Sequence, residues 1–148
     1  MASVATKGQT EVQIQQLMDE WVAAVKARDT TRLMTLYASD VVVYDNPPPL
    51  QHIGVEQHRR SFEQWFAMMA GEVRCELRDL RITARDDIAF ARALNHITGI
   101  SADGETKIDQ WVRATVCFEK RGGDWRVVHE HVSVPIDENG RGLTNLKP

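Results

Sequence analysis

Several side chains in this sequence could do chemistry. Asp45 ends the β-branched run Val41-Val42-Val43-Tyr44, just ahead of Pro47-Pro48-Pro49. A strand-end carboxylate facing apolar residues is a place for a raised pKa and hence for a general base. The alternative is a solvated carboxylate at the Asn46 turn. Downstream, Trp111-Val112-Arg113-Ala114-Thr115 follows Asp103-Gly104, a strong tight-hairpin signal. A two-residue turn there sets Arg113 opposite Leu94 and Trp111 opposite His96. A second turn at Arg121-Gly122 sets Arg113 opposite Glu130. One sheet face would then carry His96, Trp111, Arg113, Thr115 and Glu130. That set reads either as a polar cluster among aromatics or as an ion pair on a solvent face, nearly neutral for stability. His129, His131 and Ser133 alternate on the other face, and a one-residue bulge in the Gly-Gly turn would exchange the two. Two histidines at i and i+2 with a carboxylate suit zinc, but no third ligand has matching spacing, so no metal is expected.

These residues need elements to hold them. Residues 1–9 are small and polar and are expected to form a tail. Ile14, Leu17, Met18, Trp21 and Val25 share one helical face. Thr10 with Gln13 forms a capping box, so a helix is predicted from Thr10 to about Ala27. Asp29 caps a second helix over about Thr30 to Tyr37, with Tyr37 inward. A strand over 41–44 ends at the prolines. Gly54 precedes a third helix over about 55–69, with Phe62, Phe66 and Met69 on its apolar face. From Glu72 the period becomes two. Strands are predicted over 88–100, 107–119 and 125–135, with a polar tail over 137–148. Helices first and antiparallel strands after give an α+β domain over 10–136. Helices laid across the concave side of a curled sheet leave a cavity.

Composition narrows the partners. The chain has 148 residues, 43% hydrophobic and 26% charged, with a net charge of −3. No basic stripe suits nucleic acid. The N-terminus lacks an apolar signal core, and no apolar run approaches the ~18 residues of a membrane span. Cys75 and Cys117 lie in strand-like segments with neither metal nor redox spacing, which reads as buried reduced thiols and a cytoplasmic setting.

The segment 21–47, WVAAVKARDTTRLMTLYASDVVVYDNP, resembles the opening of ketosteroid isomerases in the nuclear transport factor 2-like superfamily. GVEQHRRSFEQWF is similar to the third helix of that family. WRVVHEHVSVP is closer to SnoaL-like proteins and to the association domain of calcium/calmodulin-dependent kinase. The resemblance spans roughly residues 11–135. It implies a cone-shaped barrel, three N-terminal helices on a curved, mostly antiparallel sheet enclosing a pocket.

Carried over residue by residue, it puts Asp45 at the catalytic base. Trp21 falls at one oxyanion donor, and Arg113 falls at or near the other. The base position is retained and both donors differ: an indole N–H is a poorer acid than a phenol, and a guanidinium is a fixed cation. His58 falls where the kinase association domains carry a pocket histidine; from its neighbours Arg59 and Arg60 it reads as an exposed helix residue. Phe62 and the other aromatics read first as core and second as cavity lining.

Two functions are therefore expected. One is a cofactor-independent isomerase, cyclase or dehydratase acting on a small hydrophobic carbonyl compound, with Asp45 as base and Trp21 and Arg113 holding the oxyanion. In both, His96, Trp111, Glu130, His58 and Phe62 are candidate ligand contacts. The other is a non-catalytic binding or dimerisation module that takes a small carboxylate through Arg113. A homodimer is expected through the outer sheet face, with Val127, His129, His131 and Ser133 as candidate contacts. Asp45 and Arg113 are expected to stand apart, with Glu130 neutralising Arg113.

Overall fold

A computed structural model describes residues 4–148, with side chains from Gly8 onward. Helix α1 (Val4–Ala27) begins ahead of the expected Thr10 start, so part of the expected tail is helical and residues 1–3 lie outside the described residues. Gln13 does not close a capping box. Its Oε1 accepts a hydrogen bond from Trp125 Nε1 at 3.0 Å, tying α1 to the last strand. Arg28 turns the chain at φ 54°, and the Asp29 carboxylate caps α2 (Thr30–Met34) by accepting from the Arg32 N–H at 2.9 Å.

The second helix is shorter than expected. Tyr37 opens strand β1 (Tyr37–Tyr44) instead of closing α2. Beyond the prolines, the short β2 (His52–Ile53) pairs antiparallel with β1, and Gly54, at φ 87°, precedes α3 (Val55–Ala67). Four long strands follow: β3 (Met69–Arg85), β4 (Ile88–Ser101), β5 (Lys107–Arg121) and β6 (Asp124–Ser133).

The strands form one six-stranded mixed sheet in the order β2-β1-β6-β5-β4-β3. Every neighbouring pair is antiparallel except β1 with β6. The sheet is open, with β2 and β3 as its edges, which corrects the expectation of a closed barrel. The core includes Ile14 and Val25 of α1, Val41 and Val43 of β1, Phe62 and Phe66 of α3, and Val116 and Phe118 of β5.

The β4–β5 register is the expected one: Leu94 opposes Arg113 and His96 opposes Trp111. The Thr106 hydroxyl donates to Asp103 Oδ2, and Oδ1 accepts from the Thr106 and Glu105 N–H groups, each at 2.8 Å; the hydroxyl bond first, then the backbone bonds, hold its carboxyl well below the usual range. The β5–β6 register is different. Gly122 and Gly123, at φ 58° and 88°, make the two-residue turn, so Arg121 pairs with Asp124. Phe118 then opposes Val127 while Cys117 opposes His129, leaving Val128 as the extra residue of a bulge.

Past that bulge, Arg113 opposes Ser133 and Glu130 opposes Val116. The expected Arg113–Glu130 pair is therefore not formed. Trp125, Val127 and Glu130 are buried on the inner face, while His131 is exposed. Val127 is thus core and not a surface contact.

The C-terminal segment is no loose tail. Ile136 bridges Gly142, Leu143 N–H donates to the Pro135 carbonyl at 2.8 Å, and Trp111 N–H donates to the Thr144 carbonyl at 2.7 Å. The Trp111 bond ties the segment to β5 just beyond the last β5–β6 pair, Arg113 with Ser133. Removing residues 142–148 should lower stability in urea by about 1–3 kcal/mol, the cost of stripping partners from half-buried backbone. An unchanged midpoint would mean that the segment only rests on the surface.

Candidate functional site

Alternation sends Ala91, Ala93 and Asn95 of β4 to the helix-covered face, with Val112, Ala114 and Val116 of β5 beside them. The helices cover this face, α1 lying mainly along β3. Between α1 and the sheet is a small apolar cavity in which a water centre can move through about 20 Å³, room for about one water. Leu17, Met18 and Trp21 form its helical wall, and Glu130, Tyr37, Asn95 and Arg92 are the polar residues that line it.

Glu130 is 7% exposed and anchors a directed chain of hydrogen bonds. Trp21 Nε1–H donates to the Tyr37 hydroxyl oxygen at 2.9 Å, and the Tyr37 O–H donates to Glu130 Oε2 at 2.9 Å. Burial pushes the Glu130 carboxyl up to about 7; the Tyr37 bond opposes the rise and the nearby Asp45 charge adds to it. Burial, then the Glu130 charge, pushes the Tyr37 phenol well above its ordinary range, so Tyr37 stays a donor. Cys75 lies in the same field, and burial with the Glu130 charge pushes its thiol up to about 12, leaving it inert.

His58 is 4% exposed, which corrects the reading of an exposed helix residue. Its ring stands edge-on to Tyr37 at 4.6 Å and to Phe62 at 4.8 Å, with Nε2 3.8 Å from Glu130 Oε2. Burial, helped by His52, lowers its pKa to about 4. With the carboxyl near 7 and the imidazole near 4, the proton rests on Glu130. The pair is a carboxylic acid beside a neutral imidazole, not an ion pair. Both ring nitrogens of His58, and Nε2 of the buried His52, lack hydrogen-bond partners within the protein.

The expected site residues thus divide between two faces. Trp21 and Glu130 line the cavity, His58 and Phe62 pack against Tyr37 of its wall, and Asp45, half-buried just past β1, acts electrostatically on Glu130 and Tyr37. The Trp21 N–H is committed to Tyr37. Arg113, His96 and Trp111 lie on the opposite, outer face. There Arg113 Nε–H donates to Ser133 Oγ at 3.2 Å. His96 stacks on Trp111 at 4.2 Å and binds Asp109 Oδ1 at 2.7 Å, while Arg78 lies over the indole at 5.9 Å.

Glu130 is not the neutralising partner of Arg113, whose Nε–H donates to Ser133 Oγ. Tyr37, His52 and Asn95 are the site residues the sequence reading missed. The visible signal was Glu130, a carboxylate between His129 and His131 in the last strand. Among the described residues, no three His, Cys, Asp or Glu side chains converge to hold a metal, and no helix is long and apolar enough to cross a membrane.

Residues 14–137 match the model of the SnoaL-like domain. The chain belongs to the SnoaL-like family. A solved NTF2-like protein of unknown function from Pseudomonas putida KT2440 is 35% identical over 99% of both chains, with a TM-score of 0.84. A "putative dehydratase" of the NTF2-like family from Streptomyces avermitilis shares the fold at 17% identity and a TM-score of 0.75, over 88% of this chain and 99% of that one. A "putative scytalone dehydratase" from Novosphingobium aromaticivorans does so at 13% identity and 0.79, over 95% and 96%. Among curated proteins, none matches. The superfamily resemblance seen in residues 21–47 therefore holds.

The Glu130–His58 pair gives a stability test with a defined sign. Glu130 has a folded pKa above its ordinary 4.5, so its contribution is full below about 4.5 and is lost as pH rises through about 7. His58 has a folded pKa below its ordinary 6.5, so its contribution is full above about 6.5 and is lost as pH falls through about 4. At about 1.4 kcal/mol per pH unit, each slope integrates to about 3 kcal/mol, and the two oppose each other in the wild type. Glu130→Gln should be left with stability rising from pH 4 to 6.5. His58→Phe should be left with stability falling from pH 4.5 to 7. Denaturant midpoints across this range check both, and parallel wild-type and variant curves would contradict the assignment.

Proposed function

We propose that this SnoaL-like chain is a cofactor-independent acid/base enzyme of the isomerase, cyclase or dehydratase type. Its substrate is a small, mostly apolar carbonyl compound, and Glu130 moves the proton. One observation carries the reading: a buried carboxyl with a pKa near 7, held by Tyr37 at the wall of an apolar cavity. A group poised near the working pH serves both as base and, once protonated, as acid. Tyr37 engages only Oε2, as does the His58 contact.

In the proposed step the Glu130 carboxylate takes a proton from the carbon next to the carbonyl. The C–H bond breaks and its electron pair moves to the carbonyl oxygen as an enolate. The protonated carboxyl then returns the proton to another carbon, as in isomerisation, or to a departing hydroxyl, as in dehydration. The dehydratase descriptions of the Streptomyces and Novosphingobium proteins agree with the second outcome. Asp45, expected from the resemblance to be the base, acts here by raising the Glu130 pKa through its charge. Met18 and Leu17 must swing aside to admit a ligand, and Met, with its flexible chain, suits that task.

Exchange of the α-protons of 1-tetralone in deuterated water, followed by NMR, tests the chemistry. The protein should accelerate exchange, with a rate rising with pH through about 7, as a base requires. Glu130→Gln should lose about 10²-fold or more. Asp45→Asn should keep activity with its midpoint moved to lower pH. Equal rates in wild type and Glu130→Gln would remove Glu130 from the role.

The outer face supports a second copy as partner. Helices cover only one side, and Ile88, Phe90 and Tyr44 stand on the outer side at 65%, 47% and 40% exposure. His129 and His131, packed against Tyr44, belong to that face. A carboxylate held by Arg113 would also bind there, outside the cavity. Light scattering at micromolar concentration should give a dimer, and a monomer would overturn this assembly.

A further inference from the structure

The outer face of the sheet carries a cluster of cations that the cavity chemistry does not use. Leu94 of β4 opposes Arg78 on β3 and Arg113 on β5, so one rung reads Arg78, Leu94, Arg113 and Ser133. In the next rung Arg81 opposes Arg92 directly, followed by Thr115 and His131. All four arginines are exposed, and no carboxylate stands in either rung. The chain as a whole carries a net charge of −3, so this positive patch runs against its composition.

A bulge builds the cluster. Arg78 and Arg81 are three residues apart on β3, and strict alternation would send them to opposite faces. One extra residue between them, where Asp79 takes φ 54°, returns both to the outer side. The four side chains then start from a patch of about 10 by 7 Å, two strand spacings wide and two residues long. Like charges set directly opposite on a sheet are destabilising. Among the described residues nothing relieves Arg81 or Arg92, since neither has a hydrogen bond or an ion pair. The other two have single polar contacts, Arg113 with the Ser133 hydroxyl at 3.2 Å and Arg78 with Glu76 at 3.7 Å. The arrangement costs the fold stability, and it suits an anion.

We infer that Arg78, Arg81, Arg92 and Arg113 form a binding site for a diphosphate group, outside the cavity and independent of the Glu130 chemistry. Each rung presents two guanidiniums, one pair for each phosphoryl group, and the guanidinium fork matches phosphate oxygens in a bidentate way. The half-buried Leu94, between Arg78 and Arg113, gives the site an apolar floor. A single carboxylate meets one fork and leaves three cations unmatched. An isologous contact over this face sets like patches against each other, so a bound polyanion also offsets a repulsion between two copies.

Calorimetric titration with inorganic pyrophosphate, in a buffer free of other polyvalent anions, tests the site. The wild type should bind pyrophosphate more tightly than orthophosphate. Arg92→Gln should bind it about tenfold more weakly or worse, from the loss of a charge-assisted contact, and Arg81→Gln should act alike. Arg60→Gln removes one charge from α3, on the helical side, and should leave the affinity unchanged. Without anion, Arg92→Gln should melt at a higher temperature than the wild type, because the like-charge pair is gone. An arginine kept for the fold would give a lower one. ADP in place of pyrophosphate separates two sources of the group: equal affinity points to a nucleotide, and binding of pyrophosphate alone points to the free anion. The inference is overturned if the wild type binds pyrophosphate no better than orthophosphate, if Arg60→Gln weakens binding as much as Arg92→Gln, or if Arg92→Gln melts lower than the wild type.

Discussion

The extra residue at Val128 decides which way Glu130 points, and most of the site follows from that. Before the bulge, Trp125 and Val127 face the core; after it, Glu130 takes the inward position and His129 and His131 turn out. An uninterrupted strand would alternate from Val127 to His129 and His131, filling the core with imidazoles and exposing the carboxylate. The bulge exchanges the two sets and commits the fold to a buried acid. Burial without a cation makes that acid tolerable only when protonated or well hydrogen-bonded, and this moves its pKa toward neutrality.

The surrounding residues read as responses to that one group. Tyr37, at the start of β1, supplies the donor, and Trp21 on α1 holds the phenol by donating to it. Their chain runs in one sense, from indole to phenol to carboxyl, so the phenol oxygen accepts from one neighbour while its proton goes to the other. His58 and Phe62, from α3, close the side of the cluster with ring edges. His58 keeps its neutral form because the same apolar surroundings that protonate the acid deprotonate the base. Three elements distant in sequence meet at one proton.

The two faces of the sheet serve different ends. The helix-covered face is apolar with isolated polar groups, each buried, where a single hydrogen bond or charge has a large effect. The outer face carries Arg113, His96, Asp109 and Arg78 around Trp111, side chains that solvent can reach and screen. Residues adjacent along β5, such as Arg113 and Ala114, therefore live in different dielectrics. A reading that joined Arg113 to Glu130 mixed the two.

The sequence by itself determined the α+β class, the three helices, the long hairpin and the β4–β5 register, because these depend on local periodicity and on the Asp103-Gly104 turn. Trp21 on the inner face of α1 and Asp45 at the end of β1 were legible for the same reason. The side of the sheet on which Glu130 lies was not, since the one extra residue at Val128 inverts the strand beyond it and nothing local distinguishes the bulged pairing from the regular one. Tyr37 was hidden by the short α2, which ends three residues before a helical pattern would stop. His58 and Asn95 became site residues only when α3 and the sheet buried them, and burial is a property of the assembled layers. Tertiary structure decided the chemistry because it alone decides which polar atoms lose water.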